Sequence, residues 1–488
     1  MKTTSPRHIH LLGICGTGMA ALAGILQEQG FKVTGSDEHT YPPMSTFLER
    51  LGITVANGYR PEHLRPRPDL VVIGNVIRAD NPEAQEVLRQ EIPYLSMPAA
   101  LNHYLVGDRQ ALVVSGTHGK TTTSSLLAWL CYAVGLDPGF MIGGIVKNFQ
   151  SNYRVGTGPY VVLEGDEYDT AFFDKRPKFL LFQPKQAILT SIEFDHADIY
   201  RDLSHIIQAF TEFVRHLPPD GDLLAWGDAP LVRQVAAQAS SRVSFYGLNS
   251  DAHWQARNLV PMDTGMKFKV WRQGLYWEEF YVPLAGRHNV LNTLAVLATL
   301  DNLGVDRQRL QEALPAFAGV KRRLEIAGDF HGITIVDDFA HHPTAVTETL
   351  LAARGRFPNR RLLVAFEPRT NTSRRRIFQQ DYIQALAGAD LIFVREPSDI
   401  WKAPEDDRFS SPQLVRDLAQ AGRQAWYFAD TDTLLTAVLN EARPGDVVLV
   451  MSNGGFDGLV MHLCDALAQS RTQSGSEGRE YLSVAGKN

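Results

Sequence analysis

The chain of 488 residues carries 48 Lys plus Arg against 54 Asp plus Glu, a net charge of −6, so it has no basic field broad enough to recruit nucleic acid or an anionic membrane surface. Its length, at roughly 150 residues per domain, implies about three domains. Three cysteines, Cys15, Cys131 and Cys464, are too few and too scattered for a disulfide framework or a zinc site, which fits a reducing cytoplasm, and no run reaches the ~20 apolar residues of a membrane span.

Short apolar strands predicted over 9–12, 32–35 and 70–74 alternate with amphipathic helices over 19–29 and 82–90, the pattern of a doubly wound α/β unit. Gly13, Gly16 and Gly18 break the first apolar run, so it does not read as a signal peptide. After 101–109 a new strand begins at 111–115 and leads to a helix over 124–134, which puts a first boundary at 107. Further strands are predicted over 160–163, 179–182 and 187–190, then a β-rich portion over 223–283 and a helix over 288–303. A fresh strand at 333–336, with others at 362–366, 391–394 and 447–451, opens a last α/β region. The expected organisation is α/β in three domains: Rossmann-like over 1–107, P-loop ATPase-like with its β-rich portion over 108–325, and Rossmann-like over 326–488. The tail from about 470, rich in Ser, Gly and charge, reads as frayed.

The 111–115 strand runs into Gly116, Thr117, His118, Gly119, Lys120, Thr121 and Thr122. Glycines let backbone N–H groups approach a polyphosphate, the helix N-terminus adds the positive end of a dipole, Lys120 is a point charge and Thr121 can offer its hydroxyl to Mg²⁺. The two glycines stand closer together than in a Walker A loop. A lone Gly-Lys-Thr can simply turn a strand into a helix, but strand before, helix after and three threonines argue for a phosphate site.

Acidic residues follow two strands. Glu164, Asp166, Glu167 and Asp169 come directly after 160–163, where a nucleotide-bound Mg²⁺ finds protein oxygens, with Glu164 the candidate ligand; a solvated acidic loop is the plain alternative. Glu193, Asp195, His196 and Asp198 follow 187–190, and an imidazole among carboxylates suits a second metal or proton transfer, although a surface Asp-His pair looks the same. His288 and Asn292 share one helix face and, with Asn289, can read an adenine edge, while Asn289 can also cap the helix. Asp337, Asp338, His341 and His342 follow a strand at the carboxyl end where α/β ligands gather, and Arg323 just before them can bring a guanidinium to ATP phosphates. In the first domain Gly13, Gly16, Thr17 and Gly18 follow a strand and Asp37 ends the next, a pattern for a pyrophosphate and a ribose. Cys15 stands where a strict dinucleotide fingerprint needs glycine, so the NAD signal is weak and a uridine diphosphate fits the same loop.

The ordered series 116–122, 164–169, 193–198, 286–292, 321–325 and 337–344, with the glycine loop and Ser36-Asp37, is similar to the UDP-N-acetylmuramate ligases of the Mur family, and it covers nearly the whole chain. The resemblance implies an ATP-dependent amide ligase using Mg²⁺, in which a muramoyl acyl phosphate is attacked by an amine. It implies Lys120, Glu164 and His196 in catalysis and Thr121, Glu164 and His196 as metal ligands. It implies ATP held by 116–122, His288, Asn289, Asn292, Arg323, Asp337 and Asp338 between the middle and last domains, and the UDP-sugar held by Gly16, Thr17, Gly18 and Asp37.

Two branches of that family compete. One adds L-alanine to UDP-N-acetylmuramate; the other attaches a recycled tripeptide, L-alanyl-γ-D-glutamyl-meso-diaminopimelate. The stretches 41–45, 367–372 and 452–456 resemble the tripeptide branch. A tripeptide brings several carboxylates and a distal amine, for which Arg369, Arg374, Glu367 and His342 are the candidate partners, though Arg374, Arg375 and Arg376 could equally form a solvated basic face. The expected partners are UDP-N-acetylmuramate, ATP and a cell-wall peptide, with no nucleic acid and no membrane, for a monomer or weak homo-oligomer. A nicotinamide-dependent dehydrogenase would leave the phosphate loop without a role, and a non-catalytic nucleotide-binding module would use that loop alone. The general base stays open among His196, His341, His342 and solvent.

Overall fold

The computed structural model describes residues 7–40, 44–249 and 251–473, so Tyr41, Pro42 and Pro43 of the peptide-branch signature lie outside the described residues. The last helix, Leu459–Gln473, runs into the stretch expected to be frayed, and the remainder of that stretch is also outside them. The chain divides into two compact units, Met1–Lys321 and Arg322–Asn488.

The first unit holds two main sheets. Strands β1 (His8–Leu12), β2 (Lys32–Asp37), β3 (Thr54–Asn57), β4 (Leu70–Ile73) and β5 (Tyr94–Ser96) form a parallel sheet in the order β3-β2-β1-β4-β5. The order reverses between β1 and β4, which opens a crevice at their carboxyl ends, where the glycine loop lies. The helix Pro82–Arg89 starts where Asn81 accepts the N–H groups of Glu83 and Ala84 and proline fills the first turn.

The second sheet has ten strands: β6 (Gln110–Ser115), β7 (Gly139–Val146), β8 (Ser151–Arg154), β9 (Tyr160–Gly165), then β12 (Pro184–Leu189) and β13 to β17 (Asp222–Trp226, Arg242–Gly247, Trp254–Met262, Gly265–Arg272 and Leu275–Val282). Between them β10 (Asp169–Ala171) and β11 (Asp174–Pro177) form a separate antiparallel hairpin. The order is β17-β16-β15-β14-β13-β12-β6-β9-β7-β8. Central β6, β9 and β12 are parallel apolar runs buried on both faces, as such strands must be when helices cover them. On one face Leu126 and Leu130 of the helix Lys120–Ala133 meet Leu294 and Leu297 of the helix Arg287–Asn302; on the other, Val113 and Leu163 join Ile9 of β1 and Leu22 of the helix Thr17–Glu28 in a shared core.

Residues 179–182 are not the strand their apolar run suggested. Residues 179–181 lie in a single 3₁₀ turn, Lys178–Leu181, and Phe182 follows it as the cap, between Pro177 and Pro184. A four-residue apolar run has no periodicity to separate strand from turn, and Phe179 and Phe182 are buried either way. The helix after the phosphate loop begins at Lys120, ahead of the expected 124.

The second unit carries β18 (Glu325–Phe330), β19 (Ile333–Asp338), β20 (Leu362–Phe366), β21 (Leu391–Arg395), β22 (Gln424–Phe428) and β23 (Val447–Met451) in the order β18-β19-β23-β20-β21-β22. All pairs are parallel except β18 with β19. Among the described residues no helix is long and apolar enough to cross a membrane.

Candidate active site

Because β6 pairs in parallel with both β9 and β12, the loops after these three strands emerge side by side. The phosphate loop follows β6 and the histidine motif β12, while Glu164, expected just after its strand, lies within β9, and the rest of the acidic motif follows it. The fit is close. Gly116 has φ +133°, and a Cβ there would lie 2.2 Å from Thr190 Oγ1 and 2.7 Å from Ser191 N. Thr117 N–H donates to Ser191 O and His118 N–H to Ser191 Oγ, each at 2.9 Å, while Glu193 N–H donates to Thr117 Oγ1 at 2.8 Å. The phosphate loop is thus braced by the loop after β12, and His118 Nε2 lies 3.3 Å from Glu193 Oε2.

Lys120 Nζ donates to Gly116 O at 2.6 Å and to the two oxygens of Glu167 at 3.0 and 2.8 Å. Burial works against its charge, but Glu167, Asp166 and Glu164 outweigh burial and raise its pKa. Glu167 is 2 % exposed and also meets His196 Nε2 at 3.1 Å. His196 sits in the left-handed region at φ +55°; burial, the largest single effect, lowers its pKa, but the hydrogen bond and charge of Glu167 together with the Asp195 carboxylate outweigh it and lift the pKa to about 9. As a metal ligand it would have to give up that proton. Its ring packs 4.1 Å from that of Tyr168, and Tyr200 donates its hydroxyl to Glu167 O at 2.8 Å.

Thr121 and Glu164, both singled out from the sequence, are in contact: the hydroxyl donates to Glu164 Oε1 at 2.9 Å, and Gly143 N–H donates to Oε2 at 2.7 Å. Burial raises the Glu164 pKa above its ordinary value. Asp166, Glu167 and His196 each offer one ligand atom within 4.8 Å of the others. Carboxylate and hydroxyl oxygens in this number suit a hard divalent cation such as Mg²⁺. Glu167, which no single-residue reading selected, therefore stands at the centre of the site.

Gly119 has φ +81°, and a Cβ there would lie 2.8 Å from Asn292 Oδ1, so the helix Arg287–Asn302 begins against the phosphate loop. Asn289 does not cap that helix with its side chain: its amide donates to Ala285 O at 2.7 Å and its oxygen accepts from Asn292 at 3.2 Å. His288, partly buried, lies one turn from Asn292 on the same face. Thr122 is buried in the first turn of its helix.

In the glycine loop, Gly13 and Ile14 N–H groups donate to Ser36 O, and Cys15 N–H donates to Asp37 Oδ2 at 2.8 Å. Asp37 thereby fixes the loop that opens the helix Thr17–Glu28, whose N-cap Gly16 leaves first-turn N–H groups without a side-chain cap. Such a terminus suits a pyrophosphate, and Gly18 follows within that turn.

The second unit holds the remaining candidates. Asp337 accepts from Arg322 Nε at 3.2 Å, and burial raises its pKa despite that neighbour. Asp338 is buried and committed to its own strand end, accepting from Leu324 N–H at 2.6 Å, Ala340 N–H at 2.8 Å and Thr349 at 3.2 Å. The Arg323 guanidinium lies 4.9 Å over the Phe339 ring, and His342 Nδ1 accepts from Thr344 N–H at 3.2 Å to cap the helix Pro343–Arg356. Glu367 is fully buried, accepting from Ser452 at 2.7 Å and Arg395 at 3.3 Å, with Arg369 at 3.8 Å. Arg374 is buried too and donates to Ser398 O at 2.7 Å, so the solvated face applies to Arg376 alone of that run.

A phosphate loop flanked by converging carboxylates, with a second anion-suited loop in the same unit, suits an enzyme that uses ATP on an anionic substrate, and the relatives make that enzyme a ligase. Family models agree: the Mur ligase family catalytic domain matches 8–108, the Mur ligase middle domain 114–300 and the Mur ligase glutamate ligase domain 322–454, and the chain belongs to the Mur ligase family with its three-domain fold. It is 41% identical over 465 residues to the UDP-N-acetylmuramate–L-alanyl-gamma-D-glutamyl-meso-2,6-diaminoheptandioate ligase of Escherichia coli (strain K12), covering 94% of this chain and 98% of the relative. A murein peptide ligase structure from Psychrobacter arcticus 273-4 superimposes with a TM-score of 0.71 at 35% identity, over 94% of this chain and 98% of that one. A UDP-N-acetylmuramate-alanine ligase from Thermotoga maritima gives a TM-score of 0.80 at 26% identity, over 95% and 99%.

Proposed function

We propose that the chain joins L-alanyl-γ-D-glutamyl-meso-diaminopimelate to UDP-N-acetylmuramate in the cytoplasm, returning a recycled cell-wall peptide to the precursor pool. The observation that carries this reading is the 41% identity, end to end, with an Escherichia coli enzyme named for that reaction. Fold likeness alone does not separate the peptide from L-alanine, since the alanine ligase from Thermotoga maritima has the higher TM-score of 0.80.

In this reading a carboxylate oxygen of the muramoyl group bonds to the γ-phosphorus as the bond to the β–γ bridging oxygen breaks, releasing ADP. The peptide amine then attacks the acyl carbon, loses a proton, and phosphate leaves. Lys120 and the backbone N–H groups of 116–122 stabilise the charge that develops on the phosphoryl oxygens. Thr121 and Glu164 would hold a first Mg²⁺ and His196, with Asp166 and Glu167 beside it, a second, and such ions would supply further neutralisation of that charge. His288, Asn289 and Asn292, at the start of the helix Arg287–Asn302, hold the nucleoside end of ATP. Gly16, Thr17, Gly18 and Asp37 hold the uridine nucleotide, and Arg369 and Arg374 serve the peptide's carboxylates, with the enclosed Glu367 steadying Arg369 and His342 capping the neighbouring helix.

The test supplies ATP, Mg²⁺ and UDP-N-acetylmuramate with either the tripeptide or L-alanine and follows phosphate release. Turnover with the tripeptide and not with L-alanine is expected. Turnover with L-alanine alone supports the other branch, and micromolar NADH binding without phosphate release supports a dehydrogenase.

A further inference from the structure

The acidic motif leads straight into the hairpin of β10 and β11, in which Asp169 pairs with Pro177 and Ala171 with Asp174. The base of the hairpin is fastened at the active site. Lys178 N–H donates to Tyr168 O at 2.9 Å, Phe179 N–H to Asp166 O at 3.2 Å, and Lys178 Nζ to Asp166 Oδ2 at 3.0 Å. The tip reaches the first sheet. Phe172 packs against the apolar cluster that includes Leu12, Ile73 and Ile77, and Phe173 makes an edge contact with Tyr94 of β5, ring centroids 5.0 Å apart. The two phenylalanines brace each other at 5.2 Å, almost perpendicular.

The place of that contact matters. Leu12 and Ile73 are the last residues of β1 and β4, the two strands between which the glycine loop opens, and a Cβ on Gly13 would lie 3.6 Å from Ile77. Within one compact unit, a single short segment therefore runs from the Asp166 and Glu167 carboxylates to the edge of the loop assigned to the UDP-sugar. Phe173 and Tyr94 remain 40 % and 37 % exposed, so their contact is made at the surface and adds little to a core.

We propose that Phe172 and Phe173 are positioning residues that hold the acceptor's carboxyl group in line with the phosphoryl group bound at Lys120. The proposal rests on the acyl-phosphate ligase reading above. Transfer requires the carboxylate oxygen to approach the γ-phosphorus along the axis of the breaking bond, and a misplacement of about 1 Å can cost about 100-fold. ATP capture needs no such alignment, so the hairpin tip governs transfer and not nucleotide affinity.

The experiment compares wild-type protein with Phe173→Ala, Tyr94→Ala, Phe172→Ala and the conservative Phe173→Tyr and Phe172→Leu. Four quantities are read: kcat and KM for UDP-N-acetylmuramate from ADP release, Kd for a fluorescent N-methylanthraniloyl ATP, and the melting temperature. Phe173→Ala and Tyr94→Ala are expected to lower kcat/KM for the acceptor roughly 10-fold or more, with nucleotide Kd within twofold and melting unchanged, and Phe173→Tyr to restore it. Phe172→Leu keeps the buried contact testable if Phe172→Ala does not fold. Wild-type kcat/KM in Phe173→Ala, or a loss matched by an equal loss of nucleotide affinity, overturns the positioning role. If the wild-type protein itself releases no ADP in response to UDP-N-acetylmuramate, it is the ligase reading that fails.

Discussion

Gly119 and Asn292 pack so closely that a single added methyl group on the glycine would lie 2.8 Å from the amide oxygen. Two separable costs follow for Gly119→Ala, because φ is also +81° there. The left-handed backbone costs about 1–2 kcal/mol with a side chain, and the collision adds to it. Gly119→Ala is expected to destabilise the first unit by about 2 kcal/mol in urea unfolding and to weaken nucleotide binding about 10-fold or more. Adding Asn292→Ala should recover only the collision; full recovery of stability in the double variant would show that the backbone angle contributes nothing.

Glu167 is the partner of both Lys120 and His196. Glu167→Gln keeps the volume and removes the charge, so kcat is expected to fall about 100-fold or more while far-ultraviolet circular dichroism stays unchanged. Lys120→Ala should abolish ADP release without unfolding the chain. Wild-type turnover in either variant would remove that residue from the chemistry.

Burial, and then the nearby Asp37 carboxylate, push the Cys15 thiol from 9.0 up to about 11. The thiolate is the reactive form, so iodoacetamide should label Cys15 slowly at pH 7.5 and about tenfold faster with each pH unit until about 11. The sign for stability is the same: the folded chain keeps a proton that the unfolded chain loses from about pH 9, so this contribution is intact below 9 and is lost as pH rises through about 11. Mass spectrometry of the labelled peptide reads the rate, and Asp37→Asn should increase it. Labelling at pH 7.5 as fast as a free thiol would contradict the assignment.

Arg369, partly exposed beside buried Glu367, is the more accessible of the two candidate guanidiniums for a peptide carboxylate. Arg369→Ala is expected to raise the tripeptide KM about 10-fold or more, the order of a lost charge-assisted pair, and to leave the KM values for ATP and UDP-N-acetylmuramate unchanged. Equal increases for all three substrates in steady-state assays would assign Arg369 a structural role instead.

Strands β20 and β23 were legible to the residue because continuous buried runs such as Val-Val-Leu-Val-Met have one solution in a sheet covered on both faces. The edge strands β18 and β22 were not, since Glu325–Phe330 and Gln424–Phe428 are largely solvent-facing and mix Gly, Asp and Gln into their pattern. The Thr121 and Glu164 pairing could be anticipated because Thr121 comes shortly after β6 and Glu164 stands at the end of β9, its parallel neighbour. Glu167 could not be ranked above its acidic neighbours: its importance depends on Lys120, 47 positions earlier, and His196, 29 positions later, meeting over the same carboxylate. Glu367 offered a similar lesson, reading as an accessible acid and proving to be enclosed by Ser452 and Arg395.

The ion pair between Lys120 and Glu167 makes nucleotide capture an exchange of anions. A phosphate that takes the lysine must displace a carboxylate already seated 2.8 Å away, and the carboxylate must find another cation. A single inorganic phosphate competes poorly on those terms. On the ligase reading proposed above, a triphosphate arriving with its own divalent ion would bring both replacements at once, and the loop would favour the metal complex through what it must give up, as well as through what it can hold.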